Sequence, residues 1–209
     1  MMNRPLFNTW LVFRKRVWIV VGVLFLLIIS PAYIAANDSF KPDKSEEQAA
    51  FALLNKIRQN PSAYTKDYGV NLDTVEARPA LVWNDTLAKV AETKVIDMAT
   101  RGYFAHVDPD GCGINYYVNK AGYKLEEKWV KDKKLNYFES IQAGAHDGAD
   151  AVKALIIDTY SKDLGHRKAL LGMTKFQKGT TDIGIGFIRC TDGCKYHSYT
   201  SIVIAKHKN

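Results

Sequence analysis

The chain has 209 residues, with 47% hydrophobic and 24% charged residues, so it can build a packed core, and disorder throughout is excluded. Lys and Arg total 29 against 22 Asp and Glu, a formal net charge of +7. Four of those basic groups (Arg4, Arg14, Lys15 and Arg16) fall in the first 36 residues, which hold no acid; the remainder carries 25 against 22, or +3. That excess is too small to argue for a nucleic-acid partner, and no Lys/Arg stripe is interleaved with aromatics.

Residues 17–36 carry no charge, and Arg14-Lys15-Arg16 stands directly before them. A basic flank ahead of an apolar run marks either a signal peptide or an N-terminal membrane anchor. Ile34-Ala35-Ala36 offers small residues for cleavage. Twenty uncharged residues are equally enough to cross about 30 Å of hydrocarbon. Both readings place the rest of the chain outside the cytoplasm, secreted, periplasmic or held at a membrane through an uncleaved segment. Residues 37–45 read as a polar linker, and residues 46–209 as one exported domain.

Within that domain Ser45-Glu46-Glu47-Gln48 has the form of a capping box, followed by Ala50, Leu53, Leu54 and Ile57 at helical spacing. Asn60-Pro61 restarts a helical turn. Asn84-Asp85 opens a strong helix whose stripe is Leu87, Val90, Ala91, Val95 and Met98. A shorter helix spans about Asn115 to Lys120. Another begins at Asp147 or Asp150, with Val152, Leu155, Ile156 and Tyr160 as its apolar face. The period then changes to two: Ile183, Ile185 and Phe187 alternate with Gly184 and Gly186, and Tyr196 to Ala205 is rich in β-branched and aromatic residues. Tyr137 to Ile141 is a third candidate strand. Helices early and antiparallel strands later predict an α+β fold. Cys190 and Cys194 flank Thr191-Asp192-Gly193, a turn across which a disulfide is expected; Cys112 is left over.

Gly-x-Ser-x-Gly, phosphate-loop, dinucleotide and His-Glu-x-x-His signatures are all missing. The polar residues in distinctive settings are His106, in Tyr103-Phe104-Ala105-His106-Val107-Asp108-Pro109-Asp110-Gly111; Glu139, in Asn136-Tyr137-Phe138-Glu139-Ser140-Ile141; His166, in Leu164-Gly165-His166-Arg167-Lys168-Ala169-Leu170-Leu171-Gly172; and Asp182, which opens the alternating strand. Arg167 and Lys168 read as a solvated helix face. His146, His197 and His207 read as surface groups. Tyr116, Tyr117, Tyr123 and Tyr137 fit a groove for a lipid or glycan, and core positions as well.

These four segments in this order, with Leu54-Asn55-Lys56-Ile57-Arg58 and Leu81-Val82-Trp83-Asn84 ahead of them, resemble the CAP superfamily (cysteine-rich secretory, antigen 5 and pathogenesis-related-1 proteins) in its bacterial, SCP-like extracellular form. The resemblance covers about residues 46–206. It implies a three-layer α-β-α sandwich with a central antiparallel sheet, and a cavity of two His and two acids that in some members holds a divalent metal such as zinc. Carried over by position, the cavity residues are His106, Glu139, His166 and Asp182, with His106 and His166 as metal ligands. Asp182 stands where many relatives have Glu, and Phe138-Glu139-Ser140 where many have Gly-Glu-Asn. No catalytic residue is assigned; Glu139 is the candidate base. The expected role is an extracellular binding or interaction module for a lipid, peptide or cell-surface ligand. The alternative is a metal-dependent hydrolase, such as a peptidase, that uses the same cavity.

Overall fold

The computed structural model describes residues 40–207. The apolar segment at residues 17–36, read as a signal peptide or an anchor, lies outside them. Among the described residues no helix is long and apolar enough to cross a membrane.

The first helix, α1 (Lys44–Gln59), begins one residue before the expected box. Asp43 is the cap, and its carboxylate accepts from the Glu46 amide. The expected linker therefore already belongs to the fold at this point: the Asp43 amide donates to Phe187 O, and Pro42 bridges to Ile188. A 3-10 turn with Pro61 at its start leads into the short α2 (Thr65–Tyr68), which ends on Gly69. Strand β1 (Val82–Trp83) then runs into α3 (Asp85–Thr100), capped by the Asn84 side chain on the Leu87 amide. Next come α4 (Ile114–Lys120), β2 (Glu139–Ala143), α5 (Gly148–Ile157, capped by Asp147) and α6 (Gly165–Leu171). The chain closes with β3 (Asp182–Arg189) and β4 (Ser198–Ala205). The helix α5 stops at Ile157, so Tyr160, expected on its apolar stripe, lies beyond it and is fully exposed.

The sheet order is β1-β3-β4-β2, with β2 at one edge. The β2–β4 and β3–β4 pairs are antiparallel, and β1 adds a parallel edge beside β3, so the sheet is mixed rather than wholly antiparallel. The two-residue period of β3 sends its side chains into two layers. Ile183 and Ile185 join Leu54, Ile57, Val152 and Leu170 under α1, α5 and α6. Gly184 and Gly186 face α3 on the opposite side. A Cβ on Gly184 would stand 2.0 Å from the Ala88 amide nitrogen, and one on Gly186 2.4 Å from Ala91 C. The glycines thus let α3 lie directly on the strand, where its stripe packs with Val203 and Ala205 of β4. The result is an α+β sandwich with helices on both faces of the sheet.

Candidate functional site

The site lies at the β2 edge, where the two helical layers meet. His106 comes from the loop after α3. Glu139 is the first residue of β2, and His166 sits in the first turn of α6, within the opposite layer. The two imidazole centroids are 6.4 Å apart.

Each ring is held by its own carboxylate. His106 Nδ1 is 3.0 Å from Glu139 Oε2, and the Glu139 side chain is fully buried. The other oxygen, Oε1, accepts from Ser201 Oγ at 2.9 Å, so both Glu139 oxygens are engaged. Glu139 is paired in register with Val203, two residues beyond Ser201 on β4, which puts the hydroxyl on the same face of the sheet. His166 Nδ1 is 2.7 Å from Asp158 Oδ1. Asp158 Oδ2 accepts from the amides of His166 (3.0 Å) and Arg167 (3.3 Å). One carboxylate therefore caps the start of α6 and orients the ring that α6 presents. Asp158 has φ of 55°, a left-handed conformation that Asp tolerates better than most residues.

An ionised carboxylate only accepts hydrogen bonds, so both rings place their proton on Nδ1 when neutral, and Nε2 carries the lone pair. Among the described residues no hydrogen bond engages either Nε2. Both rings are partly open to solvent, with 38% of the His106 side chain and 30% of the His166 side chain exposed. This is the arrangement in which a carboxylate fixes the ring tautomer and raises ligand basicity.

The His106 loop is tied down from behind. Lys94 of α3, only 6% exposed, donates to Ala105 O (2.8 Å), His106 O (3.2 Å) and Tyr103 Oη (3.2 Å). Burial pulls the Lys94 ammonium below the ordinary lysine range, and the nearby Glu139, Asp108 and Asp97 carboxylates offset part of that. Farther along the loop, Asp108 accepts from the amides of Asp110 and Cys112 and from Tyr117 Oη.

Asp182, expected as the fourth member, is elsewhere. Its carboxylate accepts from Tyr123 Oη at 2.8 Å, and His207 stacks on the same tyrosine at 3.8 Å. The reason is topological: β4 lies between β3 and β2, which puts Asp182 about 9–10 Å across the sheet from the β2 edge. It also pairs with Ala205, two residues past the Val203 that faces Glu139. The acid beside His166 is Asp158, which no sequence motif singles out. Arg167 is not on a solvated face either. It is buried, and donates to the terminal carbonyls of α5 at Ile156 and Ile157, both at 2.6 Å. His146, His197 and His207 are exposed. Cys190 and Cys194 form a disulfide, and Cys112 is free and buried.

For a metal, the residues present supply two neutral imidazoles with Nε2 available. Among the described residues no group of three or more His, Cys, Asp or Glu is placed to hold an ion. Such a donor set suits a weakly held, partly hydrated divalent ion such as zinc, and not a closed structural site.

Several solved structures are similar to this chain, among them the following two. One is an extracellular protein containing an SCP domain from Bacillus anthracis strain Ames, at 24% identity and a TM-score of 0.51; the match covers 78% of this chain but only 41% of that protein. The other is an outer surface protein from Borrelia burgdorferi, at 19% identity and a TM-score of 0.51, covering 80% of this chain and 98% of that one. At these identities the likeness concerns the fold. No curated protein matches the chain. The model of the cysteine-rich secretory protein family, CAP, matches residues 51–204, a span that contains α3, all of the sheet but Ala205 and all four residues of the two His–carboxylate pairs, and on that match the chain belongs to the CAP family.

Proposed function

We propose that this chain is an extracytoplasmic binding module whose recognition centre is the pair of carboxylate-held imidazoles, His106–Glu139 and His166–Asp158. The observation that carries this reading is the 6.4 Å separation of two rings, each oriented by a buried acid and each with its Nε2 uncommitted. Such a pair offers two neighbouring acceptors to hydrogen-bond donors on a ligand, or two nitrogens to a divalent ion such as zinc. A bound ion would supply a positive centre for an anionic or carbonyl group of a lipid, peptide or cell-surface ligand. The chain's own contribution is to hold the rings: Glu139 and Asp158 fix their tautomer and direction, and Ser201 and Lys94 fix Glu139 and the His106 loop. A disulfide in a domain with a free, buried third cysteine supports an oxidising compartment, as does the basic-then-apolar start of the sequence.

Zinc titration of the full chain, followed by calorimetry, tests the reading. One saturable site that disappears in His106→Ala/His166→Ala supports it. Binding that survives the double substitution removes the imidazole pair from the account.

The hydrolase reading rests on one observation, that a His held by a buried acid is also the base-and-orienter unit of many hydrolytic sites. With both Glu139 oxygens committed, the base in that reading is His106 rather than Glu139. A peptide and ester substrate screen with and without added zinc decides it: turnover abolished by His106→Ala supports hydrolysis, and no turnover under either condition rejects it.

A further inference from the structure

A second pair of imidazoles stands at the other end of β2. The β2–β4 pairing runs from Glu139 opposite Val203 to Ala143 opposite Tyr199, which carries the chain about 13 Å away from the His106–Glu139 contact. Gly144, with φ of 81°, then turns it toward α5, and His146 follows just ahead of the Asp147 cap. His197 directly precedes β4. The two ring centroids are 5.9 Å apart with their planes at 46°, and both residues are exposed. Among the described residues, no hydrogen bond or ion pair engages a ring nitrogen of either.

The main chain under both rings is fixed. The Gly144 amide donates to Ser198 O at 3.0 Å, and Ser198 Oγ donates to Ala145 O at 2.6 Å. The Cys190 amide donates to His197 O at 2.8 Å, and the Arg189 guanidinium donates to His146 O. That guanidinium is itself paired with Glu46, and with Asp43 at 3.5 Å, so its charge is met beside the pair. A ligand that engages both rings has only side-chain rotations left to order, the advantage of a preorganised site.

A metal ion about 2.0–2.1 Å from an imidazole nitrogen stands about 3.2 Å from the ring centroid. Two rings on one ion are therefore about 4.5 Å apart with a right angle at the metal, and about 6.4 Å apart with the nitrogens opposite each other. The observed 5.9 Å falls within that span. Asp147 adds a negative charge next to His146 while its Oδ1 stays on the Asp150 amide. Among the described residues no group of three or more His, Cys, Asp or Glu is placed to hold an ion, so water completes the shell. Calcium and magnesium want oxygen ligands, and the sulfurs of Cys190 and Cys194 are committed to their disulfide. Two imidazoles and water suit a tetragonal copper(II) ion, which binds nitrogen donors more tightly than zinc does. Neither ring is oriented by a carboxylate as His106 and His166 are, so zinc is expected to settle at that other pair.

We propose that His146 and His197 form a second metal site, at the protein surface, that binds copper(II) and bridges the loop before α5 to the start of β4. The proposal does not rest on any role for His106 and His166.

The test titrates copper(II) into the full chain in zwitterionic nanodiscs, with glycine as a competing chelator. In His106→Ala/His166→Ala, where the other pair is gone, one copper(II) per chain is expected, with electron paramagnetic resonance showing coupling to two imidazole nitrogens. Paramagnetic broadening is expected to centre on the amides of Ala145, His146, His197 and Ser198. His146→Ala and His197→Ala, each added to that background, are expected to weaken binding at least about tenfold, because one ring remains where two were linked. His207→Ala is expected to change nothing, and circular dichroism reports that each variant is folded. Should the background variant fail to fold, the wild type is titrated instead, and His146→Ala/His197→Ala is expected to take up one copper(II) fewer. Copper(II) uptake abolished by His106→Ala/His166→Ala alone, uptake undiminished in His146→Ala/His197→Ala, or a one-nitrogen signal overturns the site. No zinc at His106 and His166, together with a two-nitrogen copper(II) signal from His146 and His197, supports this site while rejecting zinc binding at the other pair.

Discussion

Asp158 serves two backbone amides and one ring at once: its Oδ1 lies 2.7 Å from His166 Nδ1, while Oδ2 receives the amides of His166 and Arg167. The direction of the imidazole is therefore set by the same group that starts α6, and the site and the helix stand or fall together. Asp158→Ala removes the cap and leaves buried amides unpaired, with an expected loss of about 2 kcal/mol or more in denaturant unfolding. Asp158→Asn keeps an acceptor and tolerates the left-handed backbone, so it is expected to recover most of that stability. It does not restore the anionic partner of the ring, so zinc affinity is expected to stay weakened in Asn as in Ala.

The contact between α3 and β3 admits no side chain at Gly184 or Gly186. Gly184→Ala puts a carbon 2.0 Å from a helix backbone atom, and backbone does not yield as a flexible side chain does. Overpacking of this kind is expected to cost about 3 kcal/mol or more, seen as a lowered midpoint with little change in slope. An unchanged midpoint for Gly184→Ala contradicts the packing described here.

Alkaline pH is expected to unfold the domain steeply. Burial raises the phenols of Tyr68, Tyr103, Tyr117 and Tyr123; Tyr68 is pushed up to about 12, and hydrogen bonds to Asp97, Asp108 and Asp182 add to the rise in the other three. A group whose folded pKa exceeds its unfolded value contributes stability that is complete below the unfolded value, here 10, and lost as pH climbs through the folded one. Arg58, which desolvation lowers to about 10, and Lys94, also lowered, work with the opposite sign in part of that range. Four phenols outweigh two cations, so unfolding free energy is expected to fall above pH 10. Tyr103→Phe is expected to soften the fall, and a pH series of urea melts measures it.

The disulfide closes a loop of only five residues, and chain entropy makes its contribution modest, about 2 kcal/mol. Cys190→Ser/Cys194→Ser is expected to lower stability by no more than that and to leave the His106 and His166 resonances in place. A loss of fold in the double variant would show that the turn does more than hold the ends of β3 and β4.

Much of this architecture is legible in the sequence because it is local. The caps Asn84 and Asp147, the stripe of α3 and the two-residue alternation of β3 are written within a few positions of one another. His106, Glu139 and His166 are legible through the ordered segments that carry them. Asp158 and Ser201 are not: one acts on a residue eight positions away through a left-handed cap, the other across a strand pair 62 residues apart. Asp182 misleads because it opens a strand in the expected order, and only the strand order shows that β4 separates it from the site. Arg167 misleads for a similar reason. Nothing in Gly-His-Arg-Lys shows that the C-terminal carbonyls of α5 lie against it.

The two imidazoles come from opposite slabs of the sandwich, one delivered behind α3 and the other by α6. Anything that bridges them acts as a clasp across the open edge of the sheet, and resists the slabs parting in proportion to how tightly it is held. A guest held there would be lost once that edge parted slightly, before the strands separate, and its release would be the earliest sign of wear in the domain.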